Sequence, residues 1–227
     1  MKAGPSLMRR ASWLVALLVA YPSASVAMPQ LLCFPYQAQI GATRVYAEAP
    51  IDRAAMARTL ARADARVATS PLDDHRVGTR LFLTGGGWRW NLLTLGSNTG
   101  LALTRPMSDL LADAVIVNRR AVSIDGARDN DATANRRRLS SVVAHEHTHM
   151  LVRRHLGWVR ALTLPFWKSE GYADYVAGDS TLSADQAEQW RAAGSTHIAL
   201  AYYDARVRVT AALAANGGDV RKLLNEP

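Results

Sequence analysis

VVAHEHTHMLVRR (residues 142–154) gathers three of the chain's six histidines and one of its five glutamates into five consecutive positions. Valine and leucine recur around them at helical spacing. One helix is expected from about Arg137 to Leu156, with Gly157 placed to end it. Each helical residue advances by about 100°, so His145 and His149 stand one above the other on one face, with Glu146 beside them. That face continues through Val142, Val152 and Leu156. His147 lies about 200° round from His145 and is read as a packing or surface residue. The pattern is H-E-x-x-H, which supplies two imidazoles spaced to grip zinc and a carboxylate that takes a proton from water the metal activates.

A hydrolytic zinc centre takes a third protein ligand and keeps a fourth position open. The stretch WKSEGYADY (residues 167–175) supplies candidates on a second expected helix, which begins near Lys168 and runs through Ala177. Glu170 follows His149 by 21 positions. That is far enough for one helix to end and another to return alongside. Asp174 comes four residues after Glu170, so both carboxylates face the same way. One can bind metal and the other can hold the free ring nitrogen of a zinc histidine.

HEHTH followed by W-x-S-E-G-x-A-D-Y resembles the gluzincin metallopeptidases, in which a glutamate from the next helix completes H-E-x-x-H. The W-x-x-E-G-x-A part is similar to the aminopeptidase branch. The E-x-x-x-D spacing is similar to the thermolysin branch, whose aspartate orients a zinc histidine. The resemblance implies a Zn2+ cofactor with His145, His149 and Glu170 as ligands, Glu146 as general base and Asp174 as partner of a ligating histidine. It covers residues 142–175, roughly 15% of the chain, and would make the protein a minimal gluzincin-like core. It also implies a peptide or protein substrate held against a sheet edge as an added strand. Residues 80–84 and 114–118 are the candidate edges, although the Val-Ile-Val run reads more readily as a plain core strand. A donor for the oxyanion is needed as well. The candidates are Tyr172 and Tyr175 on the Glu170 helix, and His197, Tyr202 and Tyr203 on a later one.

The N-terminus has a different character. Lys2, Arg9 and Arg10 precede the apolar run ASWLVALLVAY (residues 11–21), then Pro22 and a small-residue stretch ending SVA. This is the pattern of a secretory signal, and the run is short for a spanning helix, which takes about 20 apolar residues. Residues 1–27 are therefore expected to be a cleaved signal. An uncleaved membrane anchor is the alternative, because apolar character continues past Pro22. Residues 28–227 are expected to form a single metallopeptidase-like domain outside the cytoplasm, periplasmic or extracellular, attached to the membrane if the N-terminus is retained. Cys33 is the one cysteine, so no intrachain disulfide can form, and it is read as a buried or incidental thiol.

The net charge is +8, and removal of Lys2, Arg9 and Arg10 leaves 24 basic against 19 acidic residues, or +5. That surplus suits anionic lipid or wall polymers. No zinc knuckle, helix-turn-helix signature or basic-aromatic stripe points to nucleic acid. The Arg136-Arg137-Arg138 run is read as the solvated start of the zinc helix, and His75 and His155 as surface residues.

Periodicity places a strand or hairpin at 37–47 around Gly41, a helix at 50–68 and strands at 80–84, 88–95, 101–104 and 114–118. Gly85-Gly86-Gly87 is read as a hairpin turn beside packing tryptophans, and 125–135 as a polar loop. Helices are expected at 183–194 and 196–216, with Gly217-Gly218 as the break. Strands first and helices last predict an α+β fold, with a small twisted N-terminal sheet followed by a helical half that carries the zinc residues. Two rival readings are an exported zinc-binding protein without catalysis and an anchored interaction protein without metal. Glu146 favours the hydrolase, since a purely structural site has no use for it.

Overall fold

The computed structural model describes residues 20–21, 23–25, 28–75, 79–96, 100–105, 113–123 and 137–226. Most of the expected signal segment, and the expected loop at 125–135, lie outside the described residues. Among those described, no helix is long and apolar enough to cross a membrane.

The alternating stretch around Gly41 takes the hairpin form of its two readings, as β1 (Tyr36–Ile40) and β2 (Thr43–Ala47), paired antiparallel. Gly41 takes a left-handed φ of 55° at the turn. Asp52 caps the following helix, α1 (Arg53–Val67), accepting from the Ala55 amide at 2.9 Å. The helix crosses over to β3 (Arg80–Thr84), which pairs parallel to β2. With β4 (Ala102–Arg105) and β5 (Ala114–Asn118) the sheet order is β1-β2-β3-β5-β4. β2, β3 and β5 run parallel, and β4 lies antiparallel at the edge beside β5. The fold is α+β, with the sheet drawn from the N-terminal half.

Side chains alternate across this sheet. Val45, Leu81, Leu83, Val115 and Val117 join one apolar cluster with α1 and with α3 (Leu139–Leu156). Tyr46, Phe82, Ala114 and Ile116 face the other way, against Leu32, Phe34, Trp90 and Leu93. The interior strands are buried on both faces, which is why RLFLT and AVIV read as nearly unbroken apolar runs.

Residues 88–95 correct the expectation of a strand. They form a helix, α2 (Trp88–Leu93), which follows Gly87 directly. Trp90 and Leu93, three apart, are buried together on the sheet, while Trp88 is exposed with Arg89 stacked over it. A short apolar run carries no periodicity that separates the two states. The three glycines lead from β3 into this helix and do not turn a hairpin. Cys33 is exposed, not buried.

The helical half starts with α3, which ends at Gly157 with φ 79°. A short helix, α4 (Trp158–Thr163), not anticipated from the sequence, leads to α5 (Phe166–Ala177). α6 (Ala184–Ala192), α7 (Ile198–Ala215) and α8 (Val220–Asn225) follow. α5 packs between α3 and α7. Gly171 makes the second contact tight, because a Cβ there would stand 2.4 Å from the Ala205 carbonyl oxygen and 2.8 Å from Val209 Cγ2.

Candidate metal centre

α3 and α5 bring together the residues that the two motifs singled out. His145 Nε2, His149 Nε2 and Glu170 Oε2 form a triangle with edges of 3.1, 3.2 and 3.4 Å. Ligand bonds of about 2.0–2.1 Å in a tetrahedron separate ligand atoms by roughly 3.4 Å. The donor set is two imidazoles and one carboxylate, which is the chemistry that zinc takes in hydrolytic sites. Among the described residues, no other group of three histidine, cysteine or acidic side chains converges in this way.

Asp174 sets the direction in which His145 points. It is wholly buried, and its Oδ1 lies 2.6 Å from His145 Nδ1. A neutral His145 donates its Nδ1 proton there, so its Nε2 lone pair faces His149 and Glu170. Electron pairs that meet at one point repel unless a cation stands between them. Without metal a proton takes that role. Burial pushes the His145 pKa down, but hydrogen bonds to Asp174 and Glu170 outweigh it and raise the value to about 9. Burial also works to protonate Glu170, yet its hydrogen bonds to the two imidazoles hold its carboxyl well below the usual range. The cluster therefore attracts a cation, and a metal ion bound there would compete with the proton.

Arg137 corrects the reading of the arginine run as solvated. It is buried, and its guanidinium places Nη2 2.6 Å from Asp174 Oδ1 and Nε 3.2 Å from Ser141 Oγ. Burial tends to raise the Asp174 pKa, but Arg137 and His145 together hold it below the ordinary carboxylate value. Composition hid this residue, because a run of three arginines before a helix is the usual sign of a wet surface.

Glu146 is also buried, but it turns toward the sheet edge. Thr104 Oγ1 on β4 lies 2.5 Å from Glu146 Oε2 and 3.0 Å from the Glu146 carbonyl oxygen, able to donate to either. The strand beside the candidate site is thus β4. The two candidate edges, 80–84 and 114–118, are interior strands.

The five donor candidates separate. Burial raises the Tyr202 pKa to about 12, with the charges of Glu170, Asp174 and Glu146 adding to it. Tyr172 is fully buried 2.6 Å from Ser70 Oγ, toward α1, and its pKa is also pushed up to about 12, mainly by burial. Tyr175 is exposed and stacks on Tyr172. His197 caps α7, its Nδ1 accepting from the Ala199 amide at 3.1 Å. Tyr203 packs with Leu182, Ala187 and Leu200 under Arg191.

His147 stands on the far side of α3, as its angle requires. It lines a groove of about 1310 Å³ with Leu60, Asp64, Asp73 and Arg154, a groove that includes none of His145, His149 and Glu170. Burial and Arg154 push its pKa down to about 4, so it is neutral. His75 and His155 are exposed, as expected, and His75 pairs with Asp73.

A scan against protein-family models finds no match to this chain, and a search of curated proteins likewise finds none.

Proposed function

We propose that this protein is a zinc-dependent peptide hydrolase. The observation that carries the reading is the 3.1–3.4 Å triangle of His145, His149 and Glu170, with the buried carboxylate of Glu146 held apart from it by Thr104. His145, His149 and Glu170 would hold the ion, and Asp174 with Arg137 behind it would fix the His145 ring. Zinc bound there supplies Lewis acidity, which polarises a carbonyl and makes water acidic near neutral pH.

The chain's own groups do the rest. The Glu146 carboxylate takes the proton from water and returns it to the leaving amine. The Thr104 hydroxyl fixes the carboxylate's orientation. Tyr202 keeps its proton across the physiological range and donates a hydrogen bond to the developing oxyanion. No strand among the described residues pairs with the outer edge of β4, beside Glu146, and an extended peptide adds there as a further strand through main-chain hydrogen bonds. A site that only stored zinc would need neither Glu146 nor its threonine partner.

Two measurements test this. Elemental analysis should find near-stoichiometric zinc in the wild-type protein and in His147→Ala, and little in Glu170→Ala. A peptide-library digest should then show cleavage by the wild type and none by zinc-loaded Glu146→Gln. A metal-free wild type after supplementation would sink the reading. Zinc without cleavage of any peptide would leave a binding protein.

A further inference from the structure

The pairing of β4 with β5 dictates what β4 shows on its outer edge. Along an antiparallel pair, residues alternate between those that exchange both main-chain hydrogen bonds with the residue opposite and those that turn both groups away. The Asn118 amide donates to the Leu101 carbonyl at 2.9 Å. The register continues with Ala102 opposite Val117, Leu103 opposite Ile116, Thr104 opposite Val115 and Arg105 opposite Ala114. Leu103 and Arg105 therefore bond to β5. The other side of β5 gives the same phase, because the Arg119 amide donates to Thr84 and the Asp113 carbonyl accepts from Arg80, both toward β3. Ala102 and Thr104 are left with N–H and C=O directed outward, where no strand among the described residues takes them.

Side chains alternate along the same strand. Thr104 points to α3, where its hydroxyl meets Glu146. Ala102 packs on that side too, against the cluster that holds Val115 and Val117. Leu103 points the other way, packed against the Phe82 cluster and only partly buried. The edge thus offers two sets of main-chain groups flanking one partly exposed leucine. Antiparallel addition is the more stable pairing. A chain added so exchanges both bonds with Thr104 and, two residues on, both with Ala102. The residue between faces Leu103 in the kind of pair where side chains come closest, with Cα atoms about 4.5 Å apart.

We infer that this edge selects its peptide at three consecutive residues. The first and third are held by Thr104 and Ala102 and must keep their N–H groups, which excludes proline and N-methylated residues there. The middle residue meets Leu103 and is apolar, best β-branched or aromatic. The inference rests on the proposed function and adds Leu103 as the side chain that sets the preference. Thr104 carries both the peptide main chain and Glu146, so the residue it holds lies beside the carboxylate.

The test uses the full chain with Glu146→Gln, which keeps the edge and lacks the proposed base. The probe is a capped peptide of alternating serine and valine with a lysine at each end. Amide hydrogen exchange, read by NMR, should slow about tenfold or more at Ala102 and Thr104 and change little at Leu103 and Arg105, which are already bonded to β5. N-methylation of the serines should abolish this protection, and N-methylation of the valines should leave it. Leu103→Lys should shift the preference about three- to fivefold toward a peptide with glutamate in the valine places. Protection that survives methylation of the serines, protection spread evenly over all four amides, or none at millimolar peptide overturns the inference. The methylation arm changes only the peptide, so it holds even if Leu103→Lys fails to fold. Protection at Ala102 and Thr104 with no peptide cleaved by the wild type would uphold the inference and sink the hydrolase.

Discussion

Gly171→Ala probes the contact that places Glu170 against α7. The added Cβ would lie 2.4 Å from the Ala205 oxygen and 2.6 Å from its carbonyl carbon. Carbon–oxygen contacts close at about 3.3 Å, so α5 and α7 must separate by about 0.9 Å. Overpacking of this kind costs about 1–3 kcal/mol, and replacing a helical glycine by alanine returns about 1 kcal/mol. The net loss is about 0–2 kcal/mol, which lowers Tm by at most about 8 °C in a domain of this size. Activity should suffer more than stability. Tyr202 rides on α7 while the candidate ligands ride on α3 and α5, so the separation moves the proposed oxyanion donor and spares the candidate metal site. A misplacement of about 1 Å can cost about 100-fold in rate. Calorimetry, zinc analysis and kcat together check this. A variant with raised Tm and undiminished kcat would refute the close approach of the two helices and the role given to Tyr202.

Glu146→Gln should retain zinc and lose about 100- to 10,000-fold in kcat, read from peptide cleavage. Thr104→Val frees the Glu146 carboxylate and should cost about 10- to 100-fold in kcat with KM little changed. Asp174→Asn should weaken zinc binding about 10- to 100-fold, measured by competition with a chelating dye. The pH dependence follows from His145, whose folded pKa is raised from 6.5 to about 9. The stabilisation this gives the metal-free protein is full below 6.5 and lost as pH rises toward 9, so Tm in chelator should fall across that window. Zinc must displace the same proton, so its affinity should climb by about tenfold per pH unit over the same range. A flat zinc affinity from pH 6.5 to 9 would show that the proton does not occupy the site.

The alternating stretch at 37–47, the helix at 50–68 and the two helices of the candidate centre were legible because their signals are local. A turn glycine and the 100° step of a helix act within a few residues. His145, His149, Glu170 and Asp174 could be grouped for the same reason, since each pair lies four apart on its own helix. Residues 88–93 were not legible as a helix. Their two buried side chains, Trp90 and Leu93, are chosen by the sheet face beneath them.

The sequence by itself determined which side chains share a helix face, that His147 is turned away from the other two histidines, and that a carboxylate sits beside the candidate ligands. Only the tertiary structure decided which elements became neighbours. It put β4 at the edge and its Thr104 on Glu146, buried Arg137 against Asp174 from a run that looked solvated, and turned Tyr172 to Ser70. These outcomes depend on contacts between residues tens of positions apart. Such contacts are set by how sheet and helices pack, and no local periodicity encodes them.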